Sequence, residues 1–236
     1  MPNIKEAQSN GLYPAFNSSQ ELRYTTLGNS YKALSTIVFI DSAVDEYQSL
    51  VNGAIPEAEV IVLDSTRDGV VQITQVLQGR INIAAVHIVS HGSPGCLYLG
   101  NTELSLDTLE RYVSQLQTWA THLTSSALLL YGCNVAAGDA GEEFLERLHR
   151  LTGANIAASA NRTGSGELGG DWELEVTTGK VEFPLAFSVE VREAYASVLA
   201  DVNLSGTILW TDGGGNTHPV REATVEIWDS EGFLLS

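Results

Sequence analysis

The chain has 236 residues, 44% of them hydrophobic, with 12 Lys and Arg against 29 Asp and Glu and a formal charge of −17. That apolar content marks a folding chain, and the acidity excludes nucleic acid and anionic lipid surfaces as partners, because both need clustered cations. No apolar run reaches the roughly 18 residues of a membrane-spanning helix, so no membrane insertion is expected, and the N-terminal stretch MPNIKEAQSNGLYPAFNSSQ shows no signal-peptide core.

Residues 1–35 are polar and weakly periodic and read as an N-terminal tail. TIVFID (36–41) is the first β-branched apolar run, followed by a helix with Val44, Tyr47, Leu50 and Val51 on one face and Gly53 as its C-terminal stop. AEVIVLD (58–64) is a second buried strand. Val70, Ile73, Val76 and Leu77 then recur at helical spacing up to Gly79. IAAVHIVSHG (83–92) is the third strand, and GCLYLGN reads as a surface excursion. A long helix carries Leu109, Tyr112, Val113, Leu116, Trp119 and Leu123, with Ser105 as its N-cap. SALLLYGC (126–133) is the fourth strand. The next helix carries Phe144, Leu145, Leu148 and Leu151, opened by a capping-box variant of Asp139 and Glu142, and ANIAAS (154–159) is the fifth strand.

Strands apolar on both faces, alternating with helices, predict a doubly wound α/β domain with a mostly parallel sheet covered on each side. Farther on, DWELEVTTGKVEF (171–183) reads as a hairpin turning near Thr178-Gly179, and a helix is expected from about residue 190 with Val191, Ala194, Tyr195 and Val198 on one face. After residue 200 two alternating runs flank a Gly-rich loop. Two strands alone are marginal, so residues 201–236 read as the truncated start of an all-β domain, and residues 36–200 as the α/β domain.

The third and fourth strands end in His91-Gly92 and Gly132-Cys133. Sites in such sheets form beyond the carboxyl ends of the strands. A thiol becomes a nucleophile when an imidazole or backbone N–H groups stabilise its thiolate, and Gly92 leaves room for a substrate whose oxyanion its N–H could face. Taken singly, a strand-end His is a capping group and a strand-end Cys a small buried hydrophobe. At matched strand ends, each beside a glycine, they point to a dyad.

VHIVSHG followed by LLLYGC resembles the His-Gly and Gly-Cys blocks of the caspase-like cysteine peptidases. The span from about Ile37 to Leu199 is more closely similar to a bacterial caspase-like domain found near the N-termini of very large surface and secreted repeat proteins. FIDSAV, VIVLDSTRDGVVQI, HIVSHGSPGCLYLGN, LLLYGCNVAAGDAGEEF and GGDWELE carry the likeness. The resemblance implies a six-stranded sheet, His91 and Cys133 as catalytic dyad, and the N–H groups of Gly92 and Cys133 as oxyanion donors. It also implies a specificity pocket near Ser159, Asp171 and Trp172. A polypeptide substrate follows, the parent chain itself being one, within a secreted or cell-surface protein. The segment after 200 is similar to the opening strands of transthyretin-like adhesin modules. Asp171 at the pocket floor predicts preference for Arg or Lys before the scissile bond, with Arg23, Lys32 and Arg162 as candidate self-cleavage points. A catalytically silent assembly module and a thiol acyltransferase on the same fold remain open alternatives.

No cofactor or metal is expected. GSGELG (164–169) matches a dinucleotide fingerprint but precedes a strand, not a helix. His87 and His91, four apart on a strand, are about 13 Å from each other, too far to share a zinc; His87 reads as a core residue. TDGGGN lacks the acidic ligands of a calcium loop. Cys96 is expected to be a lone loop thiol.

Overall fold

The apolar runs become the strands of a six-stranded sheet. The computed structural model describes residues 35–123 and 126–200 and, beyond them, 209–211, 215, 217–219, 227–228 and 234–235. The N-terminal tail, with Arg23 and Lys32, and most of the last segment lie outside the described residues.

In chain order the elements are β1 (Ser35–Asp41), α1 (Tyr47–Gly53), β2 (Ala58–Leu63), α2 (Gly69–Gln78), β3 (Ile83–Val89), β4 (Gly92–Ser93), β5 (Cys96–Leu99), β6 (Thr102–Ser105), α3 (Val113–Leu123), β7 (Ala127–Leu130), α4 (Gly138–Thr152), β8 (Asn155–Ala158), β9 (Val176–Thr177) and α5 (Val189–Ala194). The main sheet runs β2-β1-β3-β7-β8-β9. Its first five strands are parallel, and β9 is antiparallel to β8. This is the doubly wound, mostly parallel α/β architecture that the alternating pattern predicts.

Both faces of the inner strands are buried, and alternate residues feed two cores; β2, expected to be a buried strand, is instead a half-buried edge strand with Val62 exposed, because among the described residues no strand covers its outer side. Ile37, Phe39, Val86, Ile88, Leu128 and Leu130 point into one, with Val70, Ile73 and Leu77 of α2, Leu116 and Trp119 of α3, and Phe144, Leu145 and Leu148 of α4. Val38, Ile40, Ala85, Val89 and Leu129 point into the other, with Leu50 of α1 and Phe187, Trp172 and Tyr195 from the C-terminal part. The two-residue period of a strand produces this split.

Several local expectations are corrected. The stretch after His91 is not a surface excursion but a three-stranded antiparallel sheet, β4-β5-β6, whose Leu97, Leu99 and Leu104 are fully buried. Cys96 accordingly sits on a buried strand, not in a loop, and both cysteines are free thiols. Ser105 ends β6 instead of capping α3. That helix is entered through a 3₁₀ turn, Leu109–Tyr112, with Thr108 at its cap position. Asp139 lies in the first turn of α4, whose cap position is Ala137. Gly53 is the last residue of α1, packed where an added Cβ would meet Val191 at 2.5 Å. The 171–183 hairpin does not form: only Val176–Thr177 is strand, and it extends the edge of β8. Helix α5 stops at Ala194, so Tyr195 and Val198 lie beyond it. Past residue 200, β10 (Leu209–Thr211) pairs with β11 (Thr217–Pro219), and β12 (Ile227–Trp228) with β13 (Leu234–Leu235), each antiparallel.

Candidate active site

β3 and β7 are neighbours, with His87 opposite Leu129 and Ile88 opposite Leu130. The Tyr131 N–H donates to the Ile88 carbonyl at 3.0 Å. Beyond that rung the two chains continue side by side as His91-Gly92 and Gly132-Cys133. They touch there: a Cβ built on Gly92 would come within 2.9 Å of the Gly132 Cα and 2.6 Å of Val135. Only glycine fits at 92, and its absence of a side chain brings the two strand ends together.

The His91 ring is fixed at one nitrogen. Nε2 lies 3.1 Å from the Ala43 carbonyl oxygen. A carbonyl can only accept, so Nε2 is the donor in this contact. Nδ1 is buried and has no hydrogen-bond partner among the described residues. The turn that offers the Ala43 carbonyl is itself held by Asp41 at the end of β1. Its carboxylate, 1% exposed, accepts the Ala43 N–H at 2.9 Å and the Gly100 N–H with its other oxygen. Asp41 and Ala43 were not identified from sequence. Asp41 is visible as the polar residue that closes the TIVFID run, but a backbone carbonyl has no side-chain signature.

Cys133 is fully buried. Its sulfur accepts the Thr163 N–H at 3.1 Å and approaches the Thr163 carbonyl at 3.6 Å. Burial pushes the thiol's pKa up. The backbone N–H groups of Thr163 and Leu199, the Arg162 guanidinium and the residue's own N–H pull it the other way. The next residue, Asn134, has φ +59°, a left-handed conformation that Asn tolerates better than most side chains. Its N–H donates to the Asn161 carbonyl at 2.7 Å.

Two backbone donors converge beside the thiol. The N–H groups of Gly92 and Cys133 both donate to one atom, the Leu199 carbonyl oxygen, at 3.3 and 3.2 Å. The Leu199 N–H donates to the Thr163 carbonyl at 2.8 Å, and the Ser165 N–H to the Ser197 carbonyl at 2.8 Å. Residues 197–200, which bend at Ser197 and Leu199, thus bridge antiparallel to 163–165 on one side, through Gly164–Val198, and parallel to Gly92 through Ala200 on the other. Gly164, at φ +131°, permits the approach: a Cβ there would fall 2.4 Å from the Ser197 carbonyl oxygen.

The other residues singled out in the sequence surround this arrangement. Ser159 is buried, donates to the Asn161 carbonyl at 3.1 Å, and offers its own carbonyl to the Ala136 N–H at 2.9 Å, bracing the turn after Cys133. The Asp171 carboxylate accepts the Asn161 side-chain amide and the Glu173 N–H, each at 2.8 Å. Trp172, 5% exposed, packs against Tyr131, Phe187 and Tyr195 with ring centroids 6.2, 5.4 and 5.5 Å away. Leu199 is buried in the same apolar cluster as Cys133 and these four rings. Among the described residues no cluster of three or more His, Cys, Asp or Glu could hold a metal, and no helix is long and apolar enough to cross a membrane.

Fold and site together define a mostly parallel α/β domain that carries an imidazole, a thiol and two converging amides at its carboxyl rim. The chain belongs to the family described as Domain of unknown function (DUF4347), whose model matches residues 37–199, well over half its length. No curated protein matches it. Among solved structures it is similar to caspase-1 from Spodoptera frugiperda, at 15% identity and a TM-score of 0.27, covering 44% of this chain and 48% of that one. The chain thus spans about half the length of that structure.

Proposed function

We propose that the domain is a cysteine endopeptidase that processes its own parent chain, with Cys133 as nucleophile and His91 as general acid and base. The observation that carries this reading is the convergence of the Gly92 and Cys133 N–H groups on a single carbonyl oxygen beside the thiol. Preorganised donors of this kind stabilise the oxyanion of a tetrahedral intermediate. His91 supports it too: Nε2 is tied to Ala43, so Nδ1 is the nitrogen left to take the thiol proton and deliver it to the leaving amine. We place the activity in a large secreted or surface protein, with residues 36–200 as the peptidase unit and 201–236 as the start of a β-domain.

The competing reading, a silent interaction module, draws on the burial of Cys133 and the upward push on its thiol. A peptide-library assay separates the two. Cleavage by the full chain is expected, abolished in Cys133→Ala and slowed on the order of 10²-fold or more in His91→Ala. Equal turnover by all three proteins would remove the peptidase reading.

A further inference from the structure

The carbonyl that fills the two-donor site belongs to the chain itself. We infer that the Leu199–Ala200 peptide bond is the scissile bond of an intramolecular cleavage, and that the domain prefers a medium-sized apolar residue before the bond it cuts. This inference rests on the peptidase reading above and names its substrate.

Three independent features of the segment agree. The first is polar: the oxygen of Leu199 takes both candidate oxyanion donors, and the Leu199 amide hydrogen is held by Thr163, whose own N–H contacts the Cys133 sulfur. The second is main-chain pairing. Residues 197–200, bent at Ser197 and Leu199, lie between 163–165 and Gly92, held by main-chain bonds at Ser197 and Leu199 and by isolated bridges at Val198 and Ala200. Main-chain pairing of this kind is how an extended peptide docks on a sheet edge, and alternate side chains then fill pockets. The third is the side chain. Leu199 is fully buried in the same apolar cluster as Tyr131, Trp172, Phe187 and Tyr195. The charges at the margin of that cluster are Arg192, which acts on Tyr131, and Asp45, which accepts the Ser197 hydroxyl at 3.1 Å; Asp171 is bonded to Asn161 and Glu173. The matched family segment also ends at Leu199, so a cut there releases the domain from all that follows it.

The step balances without an added oxidant or metal. The Cys133 sulfur, having given its proton to His91 Nδ1, attacks the Leu199 carbonyl carbon. The Gly92 and Cys133 N–H groups hold the oxyanion. The C–N bond to Ala200 breaks as His91 returns the proton to the Ala200 nitrogen, leaving a Leu199 thioester on Cys133 and a free amine on Ala200. Water, deprotonated by His91, then hydrolyses the thioester to the Leu199 carboxylate and the free thiol.

Intact-mass spectrometry of the full 236-residue chain, wild type beside Cys133→Ala and Leu199→Met, tests this, with a mixed peptide library run in parallel. The expected result is a fragment ending in Leu199 and another beginning with Ala200 in wild type and Leu199→Met, and none in Cys133→Ala. A Cys133-dependent break at any other bond, such as after Arg162, overturns the inference and keeps the peptidase reading. An uncut chain that still cleaves library peptides through Cys133 also overturns it, leaving residues 197–200 as a blocking segment. Absence of both activities removes the two readings together.

Discussion

The chain of β3 carries His87 and His91 and that of β7 continues into Tyr131 and Cys133, and the two histidines are built to opposite ends. His87 and Tyr131 bond to each other in the core. The Tyr131 hydroxyl accepts the Ala186 N–H at 3.0 Å, which leaves its single proton for His87 Nδ1 at 2.9 Å. Burial drives the His87 pKa down to about 4 and the Tyr131 phenol up. Four residues on, past the strand end, His91 has one nitrogen satisfied by Ala43 and the other left without a partner. The buried His87–Tyr131 bond fixes structure; the unpartnered His91 nitrogen at the strand end is the one that transfers the proton in the proposed peptidase.

Removing the boundary between the two regions has the largest expected effect. Trp172 packs against Tyr131 on the interior side and Tyr195 on the side leading to residues 197–200. Trp172→Ala is expected to lower unfolding free energy by about 3–5 kcal/mol, the cost of a large buried aromatic truncation, measured by urea denaturation followed by circular dichroism. A loss below about 1 kcal/mol would mean that the aromatic cluster does not hold the segment against the sheet.

The interior pair makes a pH prediction with a definite sign. His87 in the folded chain resists a proton that the unfolded chain accepts at its ordinary pKa of 6.5, because its folded value is lowered to about 4. Its neutral-state stability is therefore fully present above about pH 6.5, declines as pH falls, and levels off below about pH 4, with about 3 kcal/mol at stake. Urea midpoints between pH 4 and pH 7 should show this slope, and His87→Gln should flatten it while His91→Ala should not. An unchanged slope in His87→Gln assigns the acid sensitivity elsewhere.

How much of this was legible in the sequence follows the same division. The scaffold was, because strands buried on both faces have to be apolar throughout and helices have to repeat their apolar face: Phe39, Ile88 and Leu130, or Phe144 and Leu148, announce themselves. His91 and Cys133 were visible as polar residues ending such runs. The four-residue β5 was not, since a run that short shows no alternation and its partner strands are only two and four residues long. β9 gives no such signal, because it pairs with the far edge of β8 instead of its sequence neighbours. The parts of the site made from backbone left no trace in the sequence: the Ala43 carbonyl behind His91, the Thr163 amide at the sulfur, and the Leu199 carbonyl between the donors. SVLA reads as the end of a helix, and its placement depends on Gly164 and Gly92 admitting a segment between them.

The two thiols give a smaller but sharper contrast. Cys96 lies in β5, and burial, with the Glu103 charge adding to it, pushes its pKa up to about 11. Cys133 is also pushed up by burial, opposed by the Thr163 and Leu199 amides and Arg162, much as the Ser93 and Tyr98 side chains oppose the shift at Cys96. With the His91 imidazole at the neighbouring strand end, Cys133 should alkylate faster than Cys96 near neutral pH, and His91→Ala should slow it. Exposure alone predicts the reverse order, since Cys96 is 7% exposed and Cys133 0%. Peptide mapping after timed iodoacetamide treatment decides, and equal rates or faster Cys96 would count against an activated nucleophile.

Asp171 carries the smallest expected effect and decides between two kinds of pocket. Its carboxylate holds the Asn161 amide and the Glu173 N–H, while its backbone N–H and carbonyl join it to Arg162 and Gly164 at 2.9 and 2.8 Å. The side chain can be removed without disturbing those backbone bonds, which keep residues 162–164 beside the 197–200 segment. Asp171→Ala should therefore cost only about 1 kcal/mol, the usual worth of a partly exposed hydrogen-bonding group, and should leave cleavage after Leu199 unchanged. An acidic pocket floor predicts otherwise. Basic residues would then be preferred before the cut in the library, and the preference would collapse in Asp171→Ala, because a buried guanidinium without its carboxylate is strongly disfavoured. If the library shows that collapse, Leu199 occupies the site as a blocking residue and true substrates enter by charge. If it shows apolar preference in both proteins, the aromatic cluster around Trp172 sets specificity and Asp171 only anchors the turn.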